Sequence, residues 1–256
     1  SLLKVNSGKR TTANDWMSKA NCNMKNMDAE KKQLLIESLS TVINEQRQIL
    51  LQQILAQRTR YLTVVLEDIY QPQNASAVIR TAECLGLQEM HIIEKKHEYQ
   101  INPKVVQGAS KWMEINRYKD ADEDNTTACL KKLKSRGYKI VAMTLREDSI
   151  DLNTIDVDQK LALCFGSEES GLTELAHELA DECIKIPMCG FTQSFNLSVS
   201  AGICLNHLAT KMRESDLNWQ LGEDDKTDLY LDWLSKSTPT GKVLLDKFIK
   251  SNSLES

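Results

Sequence analysis

The chain has 256 residues, of which 41% are hydrophobic and 27% charged, a balance typical of one well-buried core with peripheral helices. No segment approaches the roughly eighteen apolar residues that span a bilayer, and the first residues lack a secretory signal, so we expect a cytoplasmic protein with no membrane contact. The net charge of −4 disfavours nucleic acid as a partner unless basic residues form a local patch.

The seven cysteines and four histidines do not form a metal-binding pattern. The cysteines are scattered, without a Cys-x-x-Cys pair, and most lie in apolar runs, where a free cysteine acts as a small buried hydrophobe. The histidines show no ligand spacing. We therefore expect no metal site.

The first half of the chain passes from a polar segment to alternating helices and strands. Residues 1–26 are polar with little periodicity, which predicts a loosely ordered start. Apolar residues recur at helical spacing over 28–57, which predicts one or two amphipathic helices. The β-branched run 62–69 predicts a buried strand. A helix is predicted over 74–85, ending at Gly86, where a left-handed conformation fits.

The same alternation continues to the end of the chain. It predicts strands at 90–93, near Ile115, at 139–143 and at 161–165, a helix at 124–135 closed by Gly137, and two helices within 217–249. Strands that alternate with helices indicate an α/β domain with a mainly parallel sheet flanked by helices. We place this domain at 61–213, between an N-terminal helical extension (1–60) and a C-terminal one (214–256).

The turn after the first strand excludes two large classes of nucleotide-binding protein. A dinucleotide-binding domain carries a G-x-G-x-x-G turn there, and a P-loop NTPase carries a Walker lysine. This turn, Tyr-Gln-Pro-Gln-Asn-Ala-Ser-Ala, contains neither a glycine nor a lysine. Any cofactor must therefore bind elsewhere.

The first of three polar segments follows that turn, over residues 73–83. Asn74 stands where a helix N-cap belongs. Arg80 has two interpretations. It can form a surface ion pair with Glu83, three residues further along the helix, or it can direct its guanidinium at a phosphate or a developing oxyanion.

The other two polar segments contain glycine loops. In 165–172, two glycines bracket Ser-Glu-Glu-Ser, so backbone can approach a ligand closely, although Ser170 or Thr173 could simply cap the next helix. In 184–202, a short strand meets a proline and a glycine loop, then enters a helix rich in small residues. Its hydroxyl and amide groups need partners, because the helix continues as a buried one.

Together and in order, the three segments resemble the motifs of the SpoU/TrmH family of RNA ribose methyltransferases, within the SPOUT superfamily. The resemblance covers about 62–208. N-x-S-A-x-x-R-T matches 74–81, F-G-x-E-x-x-G-L matches 165–172, and I-P-M-x-G with S-x-N-x-S-V-x-A matches 186–190 and 194–201. Ser167 and Phe195 depart from the usual Asn and Leu, but neither change removes a functional group from the chemistry.

The flanking residues are similar to the TrmH branch, which methylates a guanosine ribose in the D-loop of tRNA. They are Gly-Ala-Ser-Lys-Trp at 108–112, Leu-Asp-Trp-Leu at 231–234, and the short N-terminal segment. Two alternatives are a ribosomal-RNA 2′-O-methyltransferase of the same family and an RNA-binding module that has lost catalysis. The second predicts a missing motif residue, and none is missing.

The resemblance implies S-adenosylmethionine as cofactor and a catalytic role for five residues. Asn74 and Glu168 shape the pocket around the reacting ribose, and Ser194 and Asn196 hold the loop and the substrate side. The family assigns the central task to Arg80, as a general base. Because a guanidinium has a pKa above about 12, we expect Arg80 to act instead as a fixed cation that grips phosphate and stabilises the alkoxide.

The resemblance also implies a deep C-terminal trefoil knot, an RNA contact by the 1–60 extension and a homodimer, in which Arg80 could act across the interface. Backbone from four residues would form the cofactor cleft: Thr144, Gly166, Ile186 and Phe195. The basic patch that RNA requires has as its candidates Arg58, Arg60 and Lys111, together with tail residues Lys242, Lys247 and Lys250.

Overall fold

A computed structural model describes residues 27–252 of the chain. They form two compact units, one from residues 57–221 and the other from residues 27–56 together with 222–252. The two predicted helical extensions thus contribute to one unit. The predicted loose order of 1–26 falls outside the described residues. Within the described part, no helix is long and apolar enough to cross a membrane.

The larger unit is built on a seven-stranded sheet in which every neighbouring pair is parallel. Its strand order is β3-β2-β1-β6-β4-β7-β5. This confirms the predicted mainly parallel sheet. The strands are β1 (Leu62–Glu67), β2 (Glu89–Ile93), β3 (Glu114–Tyr118), β4 (Tyr138–Met143), β5 (Ile150–Asp151), β6 (Lys160–Phe165) and β7 (Glu182–Lys185).

Helices cover both faces of this sheet. Val64 and Leu66 of β1 point to a core shared with α3 and α7, whereas Val65 points to a second core shared with α5 and α6. Full burial of one such side chain contributes about 1.5–3 kcal/mol. The helices of the unit are α3 (Pro72–Cys84), α4 (Pro103–Val106), α5 (Asn125–Ser135), α6 (Glu174–Leu179) and α7 (Leu197–Arg213), with 3₁₀ turns at Ala109–Lys111 and Leu152–Thr154.

The smaller unit consists of four helices. They are α1 (Ala29–Ser40), α2 (Glu45–Leu55), α8 (Glu223–Ser237) and α9 (Pro239–Asn252). Leu35 and Leu39 of α1, Leu51 of α2, and Trp233 of α8 are buried in it. The predicted helices form, but several of the apolar residues behind that prediction, such as Ile49 and Leu50 of α2, are exposed.

The ends of the helices follow local sequence, with one correction. Gly86 after α3 and Gly137 after α5 both have φ of +82°, as predicted. Asn74, however, is not the N-cap of α3. The helix begins earlier because Pro72 occupies its first position, where a fixed φ suits a helix and no N–H is needed, and Gln71 becomes the N-cap.

The chain order around the sheet creates a crevice. From β1 the chain moves outward through β2 to β3, then crosses β1 to place β4, β5, β6 and β7 on the other side. Where the direction of winding reverses in an open parallel sheet, the connections at the carboxyl ends of the strands separate and leave room for a ligand.

Candidate functional site

A cavity of about 890 Å³ lies at the carboxyl ends of β4 and β6, beside the first turns of α3 and α7. Its wall combines apolar side chains such as Met143 and Phe165 with polar ones. Most of the site residues predicted from the sequence line it, namely Asn74, Thr144, Gly166, Glu168, Ser194, Phe195 and Asn196.

Hydrogen bonds at Asn74 join all three polar segments. The Asn74 amide donates to a carboxylate oxygen of Glu168 and, at 3.2 Å, to the side-chain oxygen of Gln71. The amide of Asn196 donates in turn to Asn74 Oδ1 at 3.3 Å. Asn74 is buried, so these bonds satisfy an amide that water cannot reach. We call Asn74, Glu168 and Asn196 the amide–carboxylate cluster.

The same Asn196 also starts α7. Its Oδ1 accepts from the backbone N–H of Ser198 at 2.9 Å and from the Ser198 hydroxyl at 2.7 Å. Ser194 and Phe195, just before it, are exposed. Of the polar residues at this helix start, Asn196 caps the helix and also lines the cavity, whereas Ser194 only lines the cavity.

The loop carrying Glu168 is held by two glycines. A Cβ on Gly166 would lie 2.0 Å from the carbonyl carbon of Gly171, so only glycine permits this approach. Gly171 itself has φ of +68° and donates its N–H to Ser167 at 2.9 Å. This confirms the expected close backbone approach. Thr173, the alternative cap considered from the sequence, does begin α6.

Sequence reasoning missed Glu67, which holds the end of this loop by hydrogen bonds to Thr173. Its buried carboxylate accepts from the backbone N–H of Thr173 at 2.9 Å, and from the hydroxyls of Thr173 and Thr126 at 2.8 and 2.5 Å. Lys95 forms an ion pair with it at 3.2 Å. The available signal was an acidic residue that ends an apolar strand.

His177 was also missed, and it lines the cavity. Its Nδ1 lies 3.0 Å from the carbonyl oxygen of Thr173, and its Nε2 lies 3.1 Å from the hydroxyl of Thr144. Because a carbonyl can only accept, Nδ1 is the donor to Thr173, and Nε2 shares a hydrogen bond with the hydroxyl of Thr144. His177 thereby fixes the position of Thr144 in the cavity wall.

Arg80 lies outside this cavity. It is exposed and lines a separate cleft of about 450 Å³, between α3 and α7. Six residues of helix place it about 9 Å along the axis from Asn74 and on a different face. The ion pair with Glu83 considered from the sequence does not form, because the Glu83 carboxylate binds Arg58 at 2.5 Å.

Two of the six candidates for the basic patch are engaged inside the protein. Arg58 is 1% exposed and donates to the carbonyl of Leu87 at 3.0 Å; burial lowers its pKa despite the opposing charge of Glu83. It is therefore unsuited to a phosphate contact, and that expectation is corrected.

Arg60 is likewise a structural residue. Its side chain is 15% exposed and forms ion pairs with Glu89 at 3.2 Å and Glu114 at 2.5 Å. Lys111, by contrast, is exposed, with its Nζ 4.6 Å from the centre of the Trp112 ring. Ile186, expected in the cofactor cleft, is buried in the core and is not part of the cavity wall.

Among residues 27–252, no cluster of three or more His, Cys, Asp or Glu side chains is arranged to hold a metal ion. Lys242 and Lys247 are exposed on α9. The side chain of Lys250 falls outside what the structure describes.

Comparison with known proteins points to one family. The sequence profile described as the SpoU rRNA Methylase family matches residues 61–206. The tRNA (guanosine(18)-2′-O)-methyltransferase of Borreliella burgdorferi is 44% identical over 193 residues, which cover 75% of this chain and 86% of that protein. The span that the family profile matches, 61–206, includes the whole amide–carboxylate cluster.

Two solved structures share the fold. The Aquifex aeolicus TrmH/SpoU tRNA modifying enzyme has a TM-score of 0.68 and 28% identity, over 76% of this chain and 98% of that one. AviRb from Streptomyces viridochromogenes, in complex with the cofactor AdoMet, has a TM-score of 0.54 and 22% identity, over 62% and 63%. The second likeness concerns the fold alone.

Proposed function

The chain belongs to the SpoU methylase family, and we propose that within this family it methylates the 2′-oxygen of guanosine 18 in tRNA. It is an RNA 2′-O-methyltransferase. The observation that carries the proposal is the amide–carboxylate cluster, because it brings Asn74, Glu168 and Asn196 to one wall of a ligand-sized cavity.

The residues of the cavity fit S-adenosylmethionine. Its volume lies in the range typical of small-molecule sites. Gly166 exposes backbone without a side chain, Phe195 offers a half-exposed ring for an adenine, and Thr144 and His177 offer polar edges. We assign cofactor binding to Thr144, Gly166 and Phe195, with Ile186 supporting the wall from the core. When bound, the cofactor supplies an activated methyl group.

The protein contributes mainly alignment, since a displacement at a methyl carbon needs the attacking oxygen in line. The amide–carboxylate cluster, with Ser194 on the loop before it, orients the ribose. Glu168 is itself held by Asn74, so it presents a fixed carboxylate to the ribose hydroxyls. Fixed groups cost no reorganisation when charge develops in the transition state.

Arg80 supplies the positive charge for this reaction. Its guanidinium grips the phosphate beside the reacting ribose and stabilises the emerging alkoxide, while the hydroxyl proton passes to that phosphate or to water. Its place on α3, away from the cavity of its own chain, supports a homodimer in which it serves the partner's cavity. Among residues 27–252 no acidic side chain pairs with it, which leaves the guanidinium available for this role.

Several features remain proposals that come with the family. They are the C-terminal trefoil knot, the homodimer, an RNA contact by the 1–60 extension and a cytoplasmic location. Lys111 is the RNA-contacting residue we retain, because it is exposed and lies in the large unit.

The test is transfer from S-adenosylmethionine with a labelled methyl group to unmodified tRNA, followed by nucleoside mass spectrometry. We expect 2′-O-methylguanosine from wild-type tRNA and none from tRNA carrying adenosine at position 18. Methylation of ribosomal RNA alone would favour the ribosomal alternative. Cofactor binding without transfer to either RNA would favour a module that has lost catalysis.

A further inference from the structure

A tyrosine stands exposed beside the cavity without a packing role. Tyr70 follows β1 and immediately precedes Gln71, which lines the cavity. It is 66% exposed and belongs to neither core of its unit. Its ring meets the His97 ring edge-on, with centroids 5.0 Å apart and an interplanar angle of 71°. Water thus reaches most of an aromatic ring placed at the edge of the site.

The backbone beneath this ring pair is tied down. Asp68 adopts φ of +54°, and its Oδ1 accepts the backbone N–H groups of Lys95, Lys96 and His97 at 3.2, 2.8 and 2.9 Å. Burial raises the pKa of Asp68, but these three N–H bonds outweigh it and lower the pKa overall. Asp68 Oδ2 lies 3.4 Å from Nδ1 of His97. Hydrogen bonds to Asp68 therefore hold together the two loops that carry Tyr70 and His97.

An exposed aromatic pair on loops held by hydrogen bonds is better suited to binding a ligand than to stabilising the fold. A left-handed aspartate costs free energy, and such a cost persists where a function uses it. Because the loops are already ordered, a ligand that stacks on the ring loses little conformational entropy of the protein.

We propose that Tyr70, supported by His97, stacks a nucleobase of the RNA that flanks the reacting guanosine. This role rests on the proposed tRNA methylation. Single-stranded RNA bases unstack and pack against aromatic side chains, and the phosphates beside them attract lysine. Lys96 is exposed next to the ring pair, while the charge of Asp68 is shielded by its three N–H donors. The neighbouring Gln71 places the stacked base next to the ribose in the cavity.

Three variants of Tyr70 separate stacking from bulk and from folding. Tyr70→Phe keeps the ring, Tyr70→Leu keeps an apolar side chain of moderate size, and Tyr70→Ala removes both. Each is assayed for methyl transfer to tRNA, for S-adenosylmethionine affinity by calorimetry and for thermal unfolding. Because Tyr70 is exposed, we expect all three to unfold within a few degrees of wild type.

Loss of an aromatic partner for one base weakens RNA binding by about tenfold. We expect the KM for tRNA to rise about tenfold in Tyr70→Ala and Tyr70→Leu, and to stay near wild type in Tyr70→Phe. Cofactor affinity should be unchanged in all three. An unchanged KM in Tyr70→Ala, or equal KM values in Tyr70→Leu and Tyr70→Phe, would contradict stacking on Tyr70. The proposed function would still stand in that case, because wild-type protein would still methylate tRNA. If wild type does not methylate tRNA, the proposed function fails and this inference fails with it.

Discussion

The side-chain amide of Asn74 donates a hydrogen bond to the carboxylate of Glu168, and 94 positions of sequence separate the two residues. One belongs to the first turn of a helix and the other to a loop that only glycines can form. The contact therefore joins the segment that follows β1 to the loop that follows β6, at the carboxyl edge of the sheet. A substitution of either residue also tests the role of the other.

Replacing Glu168 by glutamine should impair transfer more than cofactor binding. Glu168→Gln keeps the shape but removes the charge that Asn74 holds in place. A hydrogen bond to a charged group contributes about 1.5–3 kcal/mol, so we expect kcat/KM to fall about 10- to 100-fold. The matched control is Glu169→Gln, the next residue of the same cavity wall, which has no bond to Asn74 and should stay near wild type. Equal losses in the two variants would contradict the prediction.

Arg80→Ala should abolish methyl transfer and leave S-adenosylmethionine affinity nearly unchanged, because Arg80 lies outside the cavity of its own chain. Arg80→Lys should also fail, since an ammonium lacks the two-pronged geometry of a guanidinium. Isothermal calorimetry and a transfer assay give the two readouts. Parallel loss of cofactor binding would sink the assignment.

Mixing two impaired proteins tests whether Arg80 serves the partner's cavity. In a mixed dimer of Arg80→Ala and Glu168→Gln, one cavity combines an intact Glu168 with an intact Arg80 of the other copy. Random exchange of subunits should then restore about a quarter of the wild-type activity, as one site in half of the dimers. If Arg80 acts in its own chain, the mixture stays at the low activity of its components.

Glu67→Ala should destabilise the large unit. It leaves a buried N–H, two hydroxyls and Lys95 without their acceptor. Each buried group left unsatisfied costs about 1–3 kcal/mol, so we expect a loss of several kcal/mol and a fall in Tm of about 10 °C. Calorimetry measures it. Thr127→Ala, next to Thr126 in the first turn of α5, serves as control; an equal fall there would show that α5 alone is responsible.

His91 should make stability depend on pH. It is buried at the middle of β2, and burial lowers its pKa from 6.5 to about 4, against the opposing charge of Glu89. Between these values the unfolded chain binds a proton that the folded chain refuses. Unfolding is therefore favoured as pH falls from about 6.5 toward 4, by at most roughly 3 kcal/mol.

Urea unfolding at pH 7 and pH 5 measures this effect, with His91→Leu as the comparison. The variant lacks the titrating ring and should lose less stability between the two pH values than wild type. Nε2 of His91 has no hydrogen-bond partner within residues 27–252, but its Nδ1 lies 3.2 Å from the hydroxyl of Tyr118, a contact that leucine removes at both pH values alike. Identical slopes in the two proteins would rule out His91 as the source.

RNA binding should weaken steeply with salt despite the net charge of −4. Phosphate contacts release counterions, so the logarithm of the affinity falls linearly with the logarithm of the salt concentration. Lys111→Ala should reduce that slope by about one phosphate contact. Filter binding at several salt concentrations gives both values, and a flat dependence would refute a local basic patch.

Local features of the fold could be predicted from the sequence more fully than contacts between residues far apart along the chain. Gly86 and Gly137 were predictable because a left-handed helix end has its own residue preference. Asn74 as N-cap was wrong because Pro72 also starts helices, and two valid local signals competed. Short apolar runs rich in β-branched residues placed strands such as β1, because a central strand of a parallel sheet is buried on both faces.

Partners that are far apart in sequence account for the other differences. Arg58 and Arg60 looked like a basic patch next to a strand. In the folded chain both form ion pairs, with Glu83 in the first case and with Glu89 and Glu114 in the second. Nothing adjacent in sequence announces such a pairing. In the site itself, the motif resemblance supplied Glu168 and Asn196, whereas Glu67 and His177 act through contacts that only the folded chain brings together.

The ion pairs of Glu89 carry a practical consequence. Glu89 begins β2 at the amino edge of the sheet, where it binds Arg60, Arg136 and the hydroxyl of Tyr138, while the cavity lies at the carboxyl edge. The length of the strands separates what maintains the sheet from what meets the ligands. Substitutions in the Glu89 network should therefore change the heat tolerance of the protein while leaving the shape of the cavity unchanged.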